Sequence, residues 1–121
     1  MKEYMTHVLS RINRFTGETY ASDPRIFAYE VMNEPRNKNG RNDNSVAQWL
    51  QEMASHFRTL DTQHMLTVGL DGFFSSSTPE LQAYNPYNGA ELEGIDFLNI
   101  AKIPEFDFIG IHAHVDEWCT C

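Results

Sequence analysis

The sequence is short of cysteine, of positive charge and of long apolar runs. Its two cysteines, Cys119 and Cys121, close the chain as CTC. Two thiols so close together neither frame a disulfide scaffold nor complete a zinc site, so they read as plain thiols or as thiols whose partners lie beyond the end. Lys plus Arg number 9 against 17 Asp plus Glu, a formal charge of −8. No basic cluster interrupts that acidity, which argues against a nucleic-acid partner. No apolar run nears the roughly 20 residues that cross a bilayer, so no membrane partner is expected. The opening MKEYMTHVLS has no apolar core of signal-peptide type. There are no internal repeats, and nothing sets an oligomeric state.

What is present is a globular composition, with 41% hydrophobic and 21% charged residues in 121, enough for one small domain. Met5, Val8, Leu9, Ile12 and Phe15 follow helical spacing, and Gly17 stands where that helix would stop. Asp23-Pro24 is a turn. The stretch Ile26 to Met32 is nearly all apolar or aromatic, as in a parallel strand covered on both faces. Ser45 and Gln48 form an S-x-x-Q capping box before a helix whose buried face holds Val46, Trp49, Leu50, Met53, Phe57 and Leu60. Met65 to Leu70 is a second strand, Asp96 caps a short helix, and Phe106 to His114 is a third strand. Helix and strand alternate, which implies a parallel α/β sheet with right-handed crossovers. A doubly wound sheet and part of an eight-stranded βα barrel both fit. A full barrel needs about 250 residues, so the chain would be only half of one.

In either architecture, chemistry gathers at the C-terminal ends of the strands. The first strand ends in FAYEVMNEPR. Strand alternation puts Ala28, Glu30, Met32 and Glu34 on one face, with Glu34 at the end and Pro35 stopping the ladder. A glutamate there can serve as a general acid if its surroundings keep it protonated, and Asn33 offers an amide to a substrate hydroxyl beside it. The bland alternative is that Glu34 caps a loop or pairs with Arg36. Glu30 lies about 13 Å along the strand, too far for a carboxylate pair, and reads as an interior group bonded to an Arg or His. At the end of the third strand His112 and His114 share a face, followed by Asp116 and Trp118. They could hold a metal or line a substrate pocket.

These residues carry a resemblance. VMNEPR after an apolar strand resembles the acid/base motif of glycoside hydrolase family 5, the retaining (β/α)8-barrel glycosidases. The ordered series SRINRFTGETYASDPRIFAYEVMNEPR, LTVGLDGFF, STPE, GIDFL and IPEFDFIGIHAHVDEW is similar to the plant and fungal endo-β-1,4-mannanases of that family, over about Lys2 to Trp118. The resemblance implies a partial (β/α)8 TIM barrel, α/β, running from the third helix to the sixth strand. Residues 1–121 would be a fragment of a single catalytic domain. It implies retaining hydrolysis of β-1,4-mannosidic bonds, a β-mannan substrate, no cofactor or metal, and an extracellular setting. Glu34 would be the acid/base, Asn33 would hold the sugar 2-hydroxyl, His112 would be the active-site histidine, Arg36 would support the site, and Trp118 would offer a stacking surface. His114 stands where the family has a tyrosine that contacts the nucleophile. Asp71, at the end of VGLDG, matches a site-lining acid. The nucleophile glutamate of the seventh strand would lie beyond Cys121, which would leave the isolated chain inactive. The rival expectations are another family 5 glycanase such as an endoglucanase, a non-catalytic remnant, and a metal-dependent barrel hydrolase using His112 and His114.

Overall fold

A hydrophobic stripe becomes a helix only where it finds something to cover, and the first helix shows this. In the computed structural model, which describes residues 1–39 and 44–118, α1 spans Lys2–Leu9 and buries Met5 and Leu9. The spacing runs on to Ile12 and Phe15, but the helix does not. The Asn13 side chain accepts from the Phe15 N–H at 3.0 Å, a local bond that competes with helix. Ile12 pairs with Thr19 across an antiparallel bridge, and Gly17, at φ +77°, turns that hairpin instead of ending a helix. Ile12 and Phe15 are both exposed. Cys119 and Cys121 lie outside the described residues.

Three parallel strands follow in sequence order: β1 (Ala28–Asn33), β2 (Met65–Leu70) and β3 (Gly110–Ile111). The register runs Ala28 to Met65, Tyr29 to Leu66 and Glu30 to Thr67, and then jumps to Asn33 opposite Gly69. Three steps on β1 therefore match two on β2, which is a bulge. The bulge breaks strict alternation, so Glu34 does not simply continue the face of Ala28, Glu30 and Met32. Among the described residues, Glu30 and the preceding Phe27 are exposed.

β3 is far shorter than the expected Phe106–His114. Asp107 explains the difference. Its N–H donates to the Leu66 carbonyl at 2.9 Å, while its carboxylate accepts from the Leu66 N–H at 2.7 Å. A side chain thus takes a ladder position, and regular pairing resumes only at Gly69 opposite Gly110.

α2 (Ser45–Leu60) closes the first crossover. Its capping box does not form. Asn44 is the N-cap at φ +55°, and the Ser45 hydroxyl instead accepts from Asn37 Nδ2 at 2.7 Å. The apolar face is as expected, with Val46, Leu50, Met53 and Phe57 buried. Each such side chain contributes about 1.5–3 kcal/mol by leaving water. They pack against Leu66, Val68 and Leu70 of β2, all with no exposed surface. The second crossover is mostly 3₁₀ turns, ending in α3 (Phe97–Ile100), where the Asp96 carboxylate accepts from the Asn99 N–H as the cap expected of it. A last turn, α4 (Val115–Trp118), follows β3. Among the described residues no helix is long and apolar enough to cross a membrane.

Candidate active site

The bulge and a strained residue aim the end of β1. Glu34 adopts φ +47°, the left-handed region that a non-glycine residue occupies at a cost of about 1–3 kcal/mol. Its N–H still donates to the Gly69 carbonyl at 2.8 Å, so the main chain stays tied to β2 while the side chain turns. From the far side of β2, the His112 N–H donates to the Leu70 carbonyl at 2.8 Å and fixes the β3 end at the same level.

The two histidines then meet the glutamate. His112 Nδ1 lies 2.9 Å and His114 Nε2 3.2 Å from the same oxygen, Glu34 Oε1. A carboxylate can only accept, so both nitrogens act as N–H donors there. The His112 bond, then the His114 bond, holds the Glu34 carboxyl below its ordinary range; partial burial opposes them, and the charges of His114 and Arg36 add a little. In this arrangement Glu34 is an ionised carboxylate and not the protonated group expected of a standing acid.

Gly69 makes the convergence sterically possible. A Cβ on it would sit 2.7 Å from both Cε1 and Nε2 of His112, and 3.2 Å from Glu30 Oε1. Glu30 therefore points to the same face as His112, but among the described residues it has neither the arginine nor the histidine expected for it.

Arg36 does not pair chiefly with Glu34. Its Nε and Nη2 donate to the two oxygens of Asp71 at 3.1 and 2.8 Å, while Nη2 stays 3.7 Å from Glu34 Oε2. Asp71 has no exposed side-chain surface. Glu93 approaches Nη1 of Arg36 at 3.5 Å, and Lys38 meets Glu93 at 3.1 Å. The guanidinium also lies over Phe73 at 5.5 Å. Phe73 in turn packs 5.5 Å from Tyr87 and 5.5 Å from Trp118, whose ring meets His114 edge-on at 4.9 Å. Asn33, Glu34 and Arg36 line an open cleft of about 550 Å³ with Met32 and Trp49.

All six expected residues thus fall in one region, with Asn33 exposed at the strand end. Sequence reasoning missed Gly69, Phe73, Tyr87 and Glu93, and did not see Asp71 as an arginine partner. LDGFF carried the one available hint, a carboxylate at a strand end just before two aromatics. One oxygen or nitrogen each of Glu34, Asp71 and His114 lie within 4.8 Å of one another, a spacing that suits a cation. The donor set does not suit one, because Arg36 already occupies both Asp71 oxygens and the histidine nitrogens are turned to Glu34 as donors.

Comparison with known proteins bears on what this arrangement serves. A family model described as GH family 5 beta-mannosidase-like matches residues 1–118. Mannan endo-1,4-beta-mannosidase 1 of Arabidopsis thaliana is 42% identical over 117 residues, which are 97% of this chain and 28% of that protein. Mannan endo-1,4-beta-mannosidase 5 of Solanum lycopersicum is 43% identical over 119 residues, 98% of this chain and 28% of the relative. The chain therefore spans just over a quarter of these relatives' length. Among solved structures, the endo-beta-1,4-mannanase from Thermotoga petrophila superposes with a TM-score of 0.83 at 31% identity, covering 97% of this chain and 26% of that one. The endo-1,4-beta-mannanase from Rhizomucor miehei gives 0.81 at 31% identity, over 97% and 34%. The three parallel strands are thus part of a barrel, and the doubly wound alternative falls away.

Proposed function

The chain belongs to the glycoside hydrolase family 5 β-mannosidase-like family, and on that premise we propose that it is the acid/base segment of a retaining endo-β-1,4-mannosidase. Residues 1–121 are then one piece of a single catalytic domain acting on β-mannan, and the setting is extracellular polysaccharide breakdown. The observation that carries the reading is Glu34 itself: a strained carboxylate at a strand end, gripped at one oxygen by two imidazoles, in a chain about 40% identical to mannan endo-β-mannosidases.

Retaining hydrolysis uses two carboxyl groups about 5–5.5 Å apart. One attacks the anomeric carbon. The other protonates the departing oxygen and then takes a proton from water. Glu34 is assigned the second role. Ionised, as the histidines hold it, Glu34 suits the water-activating half of the cycle. For the first half its proton affinity must rise, and a second carboxylate close by supplies that through like-charge repulsion. Asp71 does not qualify as this partner, because it is fully buried and bound at both oxygens by Arg36. The resemblance to family 5 implies that the nucleophile is a glutamate on the seventh strand of the complete barrel. We assign Asn33 to the sugar 2-hydroxyl, His112 and His114 to the orientation of Glu34, Arg36 to the support of the loop, and Trp118 to a stacking surface.

The test is Glu34→Gln in the complete enzyme carrying this segment. Mannan hydrolysis should fall by about 10²–10⁴-fold. Glycosylation by an aryl mannoside with a good leaving group should fall far less, since that group needs little protonation. Equal losses in that step for both substrates would overturn the assignment.

A further inference from the structure

We propose that Asp71 is a positioning residue that draws the Arg36 guanidinium away from Glu34, so that the carboxylate at the strand end stays free of a direct arginine pair. The catalytic meaning of this inference rests on the acid/base reading of Glu34. The contact itself does not.

The geometry shows a competition already decided. Arg36 stands two residues after Glu34 on the same loop, and one guanidinium nitrogen, Nη2, faces both carboxylates. It lies 2.8 Å from Asp71 Oδ1 but 3.7 Å from Glu34 Oε2. The second bond, from Nε to Asp71 Oδ2 at 3.1 Å, makes the Asp71 pair the two-pronged kind that planar guanidinium prefers. Burial explains which carboxylate wins. Asp71 has no exposed side-chain surface, and a buried charge without a partner is costly. Glu34 keeps some solvent and has two histidines, so it loses little by going without. Glu93 at 3.5 Å from Nη1 and the Phe73 ring beneath the guanidinium hold it on the Asp71 side.

A direct arginine pair would remove the adjustability that an acid/base group needs. An adjacent guanidinium lowers a carboxylate's pKa by about 1–3 units and does not titrate away. The histidines lower it too, but a bond to an imidazole is weaker and can be offset by a second carboxylate. Asp71 thus keeps a permanent cation in the site wall without spending it on Glu34. The other groups facing Glu34 are His112 and His114 from the β3 side, Arg36 on its own loop, and Asp71 at the end of β2. Glu30 lies beside Gly69 on the neighbouring face, and Lys38 meets Glu93.

The experiment reads the titration of the Glu34 carboxyl carbon by NMR in the complete enzyme carrying this segment, labelled at glutamate, with the resonance identified by its loss in Glu34→Gln. In Asp71→Asn, Arg36 swings to Glu34 and the midpoint falls by about one pH unit or more. Part of that fall is simply the lost Asp71 charge. The same substitution is therefore repeated in an Arg36→Met background, where the fall should be clearly smaller. An equal fall in both backgrounds, or no fall at all, would overturn the proposal. Should Asp71→Asn alone not fold, the double variant Arg36→Met/Asp71→Asn decides, because it leaves no unpaired buried charge beside Glu34. Its Glu34 midpoint should stay within a few tenths of the parent's, whereas a rise of a unit or more would show that Arg36 was Glu34's direct partner. Failure here leaves the Glu34→Gln result untouched, so the two readings fall separately.

Discussion

Gly69→Ala should dismantle the site by a single methyl group. The backbone at Gly69 is ordinary strand, outside the left-handed region, so alanine suffers no conformational penalty. The effect is therefore steric. The added Cβ would stand 2.7 Å from two atoms of the His112 ring, where carbon contacts are comfortable only from about 3.5 Å. The ring must recede by roughly 0.8 Å, or β3 must lift from β2. His112 Nδ1 starts 2.9 Å from Glu34 Oε1, and a retreat of that size takes it past the limit of a useful hydrogen bond. A bond to a charged group is worth about 1.5–3 kcal/mol, and an overpacked methyl costs about 1–3 kcal/mol in stability.

The direction at Glu34 follows from the same bond. The His112 contact is the largest influence holding its carboxyl down, so losing it should raise the titration midpoint toward the ordinary carboxylate value. Gly110→Ala is the matched control. It adds a methyl to the partner glycine across the ladder, yet its Cβ would meet only ordinary contacts from 3.6 Å outward. The assay is the Glu34 carboxyl titration in both variants, with denaturant melts alongside. The reasoning is refuted if Gly69→Ala leaves the midpoint unmoved, or if Gly110→Ala moves it as much.

Three other outcomes are expected. His112→Phe should raise the Glu34 midpoint more than His114→Phe does, since the His112 bond is the shorter and stronger, and the same titration checks the order. Buried His64 has Nδ1 2.6 Å from the Asp61 carboxylate and Nε2 3.0 Å from the Asp23 carbonyl, two acceptors that favour the imidazolium. Burial pushes His64 down and Asp61 up, but their bonds win, leaving His64 raised and Asp61 lowered. Stability from His64 is then full below about pH 6.5 and lost as pH rises through its raised folded value, while that from Asp61 is full above about pH 4 and lost as pH falls through its lowered one. Asp61→Asn should flatten both flanks in denaturant melts across pH, and an unchanged profile would count against the pair. Finally, the 121 residues alone should release no reducing ends from galactomannan, because Asp71, a carboxylate within 4.8 Å of Glu34, is bound by Arg36. Release that disappears in Glu34→Ala would contradict this.

Much of this was legible in the sequence because a few signals are local. The six residues Met65–Leu70 read as a strand by their apolar run, Asp96 read as a cap, and NEPR after a strand located Glu34. What was not legible depended on contacts far along the chain. Nothing in the helical spacing of Ile12 and Phe15 says that they will be exposed among the described residues. Nothing in FDFIGI says that the Asp107 side chain will take the place of a ladder bond to Leu66. The bulge in β1 also turns on pairing with β2, and it overturns the simple alternation that set Glu34 beside Met32. Arg36 was read beside Glu34 because the two are near in sequence, yet Asp71, 35 residues away, takes it.

These departures share a physical cause in the sheet itself. One face carries Leu66, Val68 and Leu70 against α2 and is a dry core. The other carries Glu30, Gly69 and the His112 ring, with Thr67 between them in the strand register, and the buried Thr67 hydroxyl has no hydrogen-bond partner. Among the described residues this face is polar where the other is apolar. Its residues fix positions: a glycine that admits an imidazole, a bulge at the end of β1, and beside it an aspartate bonded twice to Arg36. The outcome at Glu34 is an ionised group whose proton affinity is set low chiefly by two imidazoles, with the Arg36 guanidinium no nearer than 3.7 Å. Such a group can be moved upward by one more negative charge nearby, which is the property that an acid turned base within a single cycle requires.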